Sequence, residues 1–318
     1  MDEFELIARC FAPLGAGADD VVLGIGDDAA VLAVPPAHTL AVAVDTLVSG
    51  VHFPPAIAPD DLGYRVAAVN LSDLAAMGAR PRWATLALTL PASDADWVAA
   101  FARGLGAALR PHEVVLVGGD TTRGPLTATL QLMGLLERPP LTRAGAREGD
   151  VVLVSGTLGD ARAALDCLDA AAVTDDVSAA LLARYFRPSA RVALGRALGA
   201  LAHAAIDVSD GLVADLGHVA RASNVAITIE LERLPLSTAL AARYPRARAL
   251  AYAAAGGDDY ELALCLPRAH CAQAVALAAR LGPVPLTAVG EVSAGSGVRC
   301  LDAAGRDCAT TLGGYRHF

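Results

Sequence analysis

Leu23-Gly24-Ile25-Gly26-Asp27-Asp28-Ala29-Ala30-Val31-Leu32 places two adjacent carboxylates between a Gly-x-Gly turn and an apolar run. Two unit charges ~4 Å apart, at an effective dielectric of ~20, repel by about 4 kcal/mol. Such a pair persists where it faces water or where a cation neutralises it. The rest of the chain favours the cation. Val42-Ala43-Val44 leads into Asp45, and Val114-Val115-Leu116-Val117 runs through Gly118-Gly119 to Asp120. Ala204-Ala205-Ile206 leads into Asp207, with Asp210 three residues on. Each reads as a strand ending in Asp. Open sheets bind ligands beyond strand ends, and hard oxygen donors suit magnesium, which commonly carries phosphate. The pattern predicts a magnesium–polyphosphate site built from strand-end aspartates.

Composition narrows the chemistry. The chain has 318 residues, room for two domains, and 54% hydrophobic residues, enough for large cores. Its net charge of −9 argues against nucleic acid as a partner. All 25 basic residues are Arg. Without Lys there is no P-loop, no kinase-type lysine and no lysine Schiff base. Phosphate charge must be met by Arg, backbone N–H groups and metal. The six cysteines form no Cys-x-x-Cys, which disfavours zinc and iron–sulfur sites. The acidic start lacks a signal-peptide shape, and no apolar run is long enough to span a membrane. A cytoplasmic protein is expected.

Helical spacing is read over residues 2–12, 60–78 and 94–109, the last opened by Ser93-Asp94-Ala95-Asp96 as a cap. Strands are read at 20–34, 39–48, 83–90, 113–117 and 126–137. Arg138-Pro139-Pro140 through Gly149 is the predicted linker, giving domains 1–143 and 144–318. The second half is read as strands near 151–155, 204–207, 225–230, 260–266, 286–292 and 297–302. Helices follow Asp160, Pro188-Ser189 (through Leu201), Asp210-Gly211 and Pro267. Strands and helices do not alternate strictly, so the expected class is α+β, a mixed α/β arrangement in two domains.

Each motif has a plainer reading. A lone Asp in a turn is usually solvated. Asp73, three residues from Asn70 on one helix face, is either a packing partner or a ligand. Gly118-Gly119-Asp120-Thr121-Thr122-Arg123 is either a tight turn or a phosphate-facing loop. In Asp207-Val208-Ser209-Asp210-Gly211, Ser209 or Asp210 alone would be an N-cap, but capping leaves Asp207 unexplained. Gly257-Asp258-Asp259-Tyr260-Glu261 is dense in acid for a strand lead-in. His52 is read as a substrate contact, and Tyr315 as a docked tail residue or a stacking surface.

Taken in order, these stretches resemble the thiamine-monophosphate kinase family. Gly24–Asp28, Asp45-Thr46-Leu47-Val48 with His52-Phe53, and Asn70–Gly78 carry the likeness. So do Gly118–Gly124, Arg143 with Gly145 and Gly149-Asp150, Asp207–Leu212 and Asp259-Tyr260-Glu261. The resemblance implies ATP-dependent phosphorylation of thiamine monophosphate to thiamine diphosphate, the last step of that cofactor's biosynthesis. It implies several magnesium ions and a fold like aminoimidazole-ribonucleotide synthetase: an N-terminal sheet domain that dimerises and a C-terminal α/β sandwich. The implied metal ligands are Asp28, Asp45, Asp73, Asp120, Asp207 and Asp210. Gly119, Asp120, Arg143 and Ser209 would hold nucleotide, and His52, Asp258 and Tyr315 substrate. Asp45, Asp120 and Asp210 are the candidate catalytic residues. Asp258 stands where the family usually has Glu. The alternative is a catalytically silent nucleotide- or metabolite-binding dimer of the same fold.

Overall fold

The computed structural model describes residues 3–168, 175–282 and 284–308. It divides into two compact units, Met1–Leu74 with Ala79–Pro139, and Ala75–Gly78 with Pro140–Phe318.

The first unit contains α1 (Glu3–Leu6), β1 (Val21–Leu23), β2 (Val31–Leu32), β3 (Thr39–Val48) and most of α2 (Pro59–Ala76). It continues with β4 (Arg80–Leu90), α3 (Ala95–Leu109), β5 (Val115–Arg123) and β6 (Thr127–Leu136). The sheet order is β3-β6-β4-β5, antiparallel except for the parallel β4–β5 pair. Leu62, Val66, Val69 and Leu74 of α2 are buried as their spacing predicts. Two glycines let α2 meet α3 closely. A Cβ on Gly63 would fall 2.1 Å from the Phe101 carbonyl oxygen, and one on Gly104 would fall 1.8 Å from that of Asp60. Asp94 caps α3, accepting from the N–H groups of Asp96 (3.0 Å) and Trp97 (3.1 Å).

Two strand readings need correction. Residues 20–34 form only the short antiparallel pair β1–β2, with Asp27 and Asp28 in the connection. β5 does not stop at Val117. It runs on to Arg123 because Gly118 through Arg123 pair with Thr85 through Leu90 of β4. Asp120 therefore lies inside a strand, as does Asp45, which pairs with Leu130. Of the three runs read as ending in Asp, only the one ending at Asp207 does so.

The β1–β2 hairpin packs on Trp83, Val117, Met133 and Leu135. Asp20 fastens it: its carboxylate accepts from Arg82 at 2.5 and 2.8 Å and from the Trp83 indole N–H at 3.3 Å. Burial alone would raise the Asp20 pKa, but the bonds and charge of Arg82, with Trp83, hold it below the ordinary 3.8. A depressed carboxylate pKa stabilises the fold above its unfolded value, and that contribution is lost as pH falls through the folded one. Asp20→Asn is therefore expected to cost about 1–3 kcal/mol near neutral pH. In urea melts the gap to the parent protein should close as the pH drops below 3.8.

The second unit contains β7 (Asp150–Ser155), α4 (Asp160–Leu168), α5 (Asp176–Phe186), α6 (Val192–Leu198), β8 (Ala204–Asp207) and α7 (Leu212–Ser223). Then come β9 (Ala226–Glu230), α8 (Thr238–Arg243), α9 (Arg246–Ala255), β10 (Leu262–Pro267), α10 (Cys271–Leu281), β11 (Leu286–Ser293) and β12 (Gly297–Leu301). Its six-stranded sheet has the order β12-β9-β11-β7-β10-β8, with only β12–β9 parallel. Val151 through Val154 and Leu262 through Leu266 are all buried. Both faces of those strands are covered, so the sequence runs apolar without alternation. The helix expected from Pro188 to Leu201 is only α6, and α5, α8 and α9 add to the expected set.

Candidate functional site

In the first unit, strand alternation sorts the predicted acids onto two faces. Asp45, Leu130, Leu86 and Gly119 form one row across the sheet, and Thr46, Thr129, Ala87 and Asp120 form the next. Leu86 and Leu130 are buried while Thr46, Ala87 and Asp120 are exposed. Asp45 thus belongs to the covered face and Asp120 to the open one. Three strand spacings, about 14 Å, separate their positions along the rows. The acids of this unit form two clusters rather than one.

The first cluster is Asp45, Asp73 and His52. The Asp45 and Asp73 carboxyl groups are hydrogen-bonded to each other. Burial pushes the Asp45 pKa up, against that bond and the nearby charge of His52. Two carboxyl groups in contact share a proton or need a cation between them. The Val48 N–H donates to His52 Nδ1 at 3.0 Å, which puts the proton of a neutral ring on Nε2. Three residues before Asp73, Asn70 is fully buried; its Nδ2 donates to the Val66 carbonyl at 3.0 Å, and its Oδ1 meets no donor among the described residues. The donor set is all oxygen apart from the imidazole, which suits magnesium.

The second cluster lines a cavity of about 650 Å³ formed by Asp27, Asp28, Gly118, Gly119, Asp120 and neighbours from β4 and the N-terminal segment. Gly119 has a packing reason to be glycine. Its φ is +148°, and a Cβ there would lie 1.9 Å from the Leu86 carbonyl oxygen. Gly119→Ala is expected to push β5 off β4 and destabilise by about 1–3 kcal/mol. Gly118→Ala, which would meet only the Thr85 methyl at 3.8 Å, should melt like the parent protein.

In the second unit, two predicted loops are joined through the backbone. Val208 N–H donates to Glu261 O (2.8 Å), Asp258 N–H to Ser209 O (2.8 Å) and Tyr260 N–H to Val208 O (2.9 Å). Asp207, Ser209, Asp210 and Asp258 are thereby held in one neighbourhood. Asp258 and Tyr260 have φ of +67° and +52°, left-handed values that non-glycine residues rarely adopt. The Tyr260 hydroxyl donates to Asp258 Oδ1 at 3.0 Å. Two buried carboxylates fix this pair of loops. Asp259 accepts from the N–H groups of Gly159 (2.7 Å) and Ala161 (3.4 Å), and burial raises its pKa well above the usual carboxylate range. Glu261 is bound by Ser155, Arg184 and Arg191, with Ser155 Oγ at 2.5 Å and Arg191 Nε at 2.6 Å.

Asp215, absent from the predicted set, accepts from Ser209, Asp210 and Gly211 N–H at 3.1 Å each. Burial, with the charges of Asp207 and Asp210 adding, pushes its pKa up to about 7. The N-cap of α7 is Gly211, so neither Ser209 nor Asp210 caps it. Arg143 is exposed, and its charge reaches His218, which also feels Asp210. His203 is tied to Asp150 at 3.0 Å, a structural pairing. Tyr315 lies outside the described residues. Among the described residues no three His, Cys, Asp or Glu side chains close into a ready-made metal cage. Magnesium does not require one, since it is often held by one or two carboxylates with water and phosphate completing the shell.

Residues 26–136 match the family described as AIR synthase related protein, N-terminal domain, and residues 147–302 its C-terminal domain. A thiamine-monophosphate kinase of Escherichia coli (strain K12) is 45% identical over 319 residues, covering 99% of this chain and 98% of that one. The chain belongs to the thiamine-monophosphate kinase family. A crystal structure of a thiamine-monophosphate kinase from Stenotrophomonas maltophilia K279a superposes with a TM-score of 0.88 at 46% identity, covering 94% of this chain and 96% of that one. A second structure, AaThiL complexed with AMPPCP and TMP, has a TM-score of 0.78 at 34% identity and covers 89% of each chain. The fold is accordingly that of an AIR-synthase-related, two-domain thiamine-monophosphate kinase.

Asp215, Arg184 and Arg191 escaped the sequence reading of this family member, and Glu261 was singled out only as one acid of the Gly257–Glu261 stretch, without its arginine partners. Glu261 reaches back 77 residues to Arg184 and 70 to Arg191. Spacing gives no sign of such pairs. The only available signal was an Arg near helix ends in a chain without Lys.

Proposed function

We infer that this chain transfers the terminal phosphoryl group of ATP to the phosphate of thiamine monophosphate, giving thiamine diphosphate and ADP. The observation that carries the reading is 45% identity to a curated thiamine-monophosphate kinase along nearly the whole of both chains. A relative of the same fold holds an ATP analogue together with thiamine monophosphate. The acceptor is an anionic phosphate oxygen, so the transfer needs no strong general base. Positioning and charge neutralisation carry the rate.

The chain's own residues supply that positioning. Asp28, Asp45, Asp73, Asp120, Asp207 and Asp210 are assigned as the carboxylates for magnesium, Asp45 with Asp73 in one cluster of the first unit and Asp28 with Asp120 in the other, and Asp45, Asp120 and Asp210 are the proposed catalytic residues. Bound there, magnesium supplies the positive charge that lets two phosphate-bearing anions approach in an acidic protein. Ser209 and Arg143 are assigned to the nucleotide, together with the Gly119-Asp120 segment. His52 and Asp258 are assigned to thiamine monophosphate, along with Tyr315. His52 would present its Nε2 proton, because Nδ1 is already used by Val48. Asp258 is held by Tyr260 and its own left-handed backbone.

Val42 and Val44, 53% and 59% exposed, continue the open sheet face that bears Thr46 and Asp120. An exposed apolar sheet face of this kind favours pairing with a second copy, and a homodimer through the first unit is part of the proposal. Residues 1–143 would then bind ATP and magnesium and dimerise, with 144–318 completing the enzyme. No helix among the described residues is long and apolar enough to cross a membrane, and the proposed compartment is the cytoplasm. Incubation of the protein with ATP, magnesium and thiamine monophosphate should give one thiamine diphosphate per ADP. Nucleotide binding without product would favour the silent-dimer reading instead.

A further inference from the structure

We propose that Asp215 is a positioning residue that closes the Asp207–Gly211 loop to bare phosphate and leaves it to act through its carboxylates and hydroxyl. The proposal rests on the assignment of Asp207 and Asp210 as cation ligands. It follows from counting where the loop's backbone donors go. Three successive N–H groups converging at the start of a helix ordinarily make an anion-binding nest, the device by which many proteins hold phosphate. Here the nest is filled from within. Asp215 Oδ2 takes the N–H groups of Ser209, Asp210 and Gly211, each at 3.1 Å. The remaining N–H of the turn, that of Val208, goes to the Glu261 carbonyl at 2.8 Å.

No backbone donor from 208 to 211 is left for a ligand. The arrangement is locked from the other side as well. Gly211 has φ +114°, and a Cβ on it would lie 2.6 Å from the Ala255 carbonyl oxygen. Asp215 is 2% exposed, and its own N–H donates to the Gly211 carbonyl at 2.9 Å, so turn and carboxylate fix each other. With an Asp215 carboxyl oxygen seated in the nest, the loop offers a ligand its side-chain oxygens rather than backbone N–H groups. It selects a cation, and phosphate reaches it as a metal complex.

The test titrates magnesium chloride alone, and separately inorganic phosphate alone, into the full chain by calorimetry and thermal melting. Parent protein, Asp215→Ala, Asp215→Asn and Asp210→Asn are compared. Loss of an outer partner of a metal ligand typically weakens metal binding by about 10- to 100-fold. Asp215→Ala is expected to bind magnesium at least about tenfold more weakly and to gain a phosphate-dependent rise in melting temperature that the parent lacks. Asp215→Asn keeps an acceptor oxygen and should fold normally while still losing magnesium affinity, by less than the Ala variant. Unchanged magnesium binding in Asp215→Asn, and in Asp215→Ala wherever that variant folds, overturns the proposal if Asp210→Asn weakens it. If Asp210→Asn also binds magnesium like the parent, the cation assignment of the loop fails instead. A purely structural role for Asp215 would lower the melting temperature without creating phosphate binding.

Discussion

Asp45→Asn is expected to lower turnover by about 10²- to 10³-fold at saturating ATP and magnesium, the range seen when one preorganised charge-stabilising group is removed. That corresponds to about 2.7–4 kcal/mol of transition-state stabilisation. The substitution keeps the shape of the side chain and its place in β3, so the row Asp45-Leu130-Leu86 is undisturbed. What it removes is one of two carboxyl groups in hydrogen-bond contact. Without a cation, that contact costs stability, because burial disfavours a second negative charge beside the first. Asn at this position should therefore leave the melting temperature unchanged or raise it while activity collapses. Opposite signs in the two measurements are the mark of a carboxylate kept for chemistry rather than for packing. Asp120→Asn should show the same loss of turnover from its place beside Asp27 and Asp28 in the first unit's cavity. Near-normal rates in either variant at saturating magnesium would contradict the assignment.

The largest effect on stability is expected at Glu261. Its side chain is fully buried and bonded to two guanidinium groups and a hydroxyl. Breaking a buried ion pair by removing one partner typically costs about 3–5 kcal/mol, because the other charge stays behind without compensation. Glu261→Ala strands Arg184 and Arg191 together. Asp160 is a weak substitute, with its Oδ2 3.6 Å from Arg184 Nε. Glu261 also lies in the 256–261 loop, whose backbone joins Asp258 to Ser209, so the loss should extend to substrate affinity. Urea denaturation of Glu261→Ala should register the full cost, and Glu261→Gln a smaller one. A change below about 1 kcal/mol would mean that the network is not holding the loops.

These two residues mark what the sequence reveals and what it hides. Asp45, Asp73 and Asp207 could be picked out because an acid next to an apolar run, or inside an Ala-rich helix, breaks a local rule, and Asp258 because three acids crowd into four residues. Helices with a clean apolar stripe and a capping Asp, such as α3, were legible for the same reason: 3.6-residue periodicity and an N-cap are local signals. The strand lengths were not. β5 continues past its glycines only because β4 lies beside it, and that neighbour is invisible in the segment itself. Reading Asp120 as a strand end therefore failed, and the same tertiary fact places it on the face opposite Asp45. The helices α8 and α9 are short and rich in Ala and Arg, without a distinct apolar stripe. Asp215 resembles any acid in the first turn of a helix. Its role depends on three N–H groups of the preceding turn converging on it, which no spacing rule encodes.

Aspartates of the first unit are proposed to hold divalent ions against the phosphates of two ligands. An anomalous difference map from crystals grown with manganese, a non-hydrolysable ATP analogue and thiamine monophosphate tests this directly. Manganese peaks are expected in bonding contact with the carboxylates of Asp45 or Asp73, and with Asp28 or Asp120. Nucleotide bound with manganese elsewhere, and no peak at any of those four residues, would contradict it.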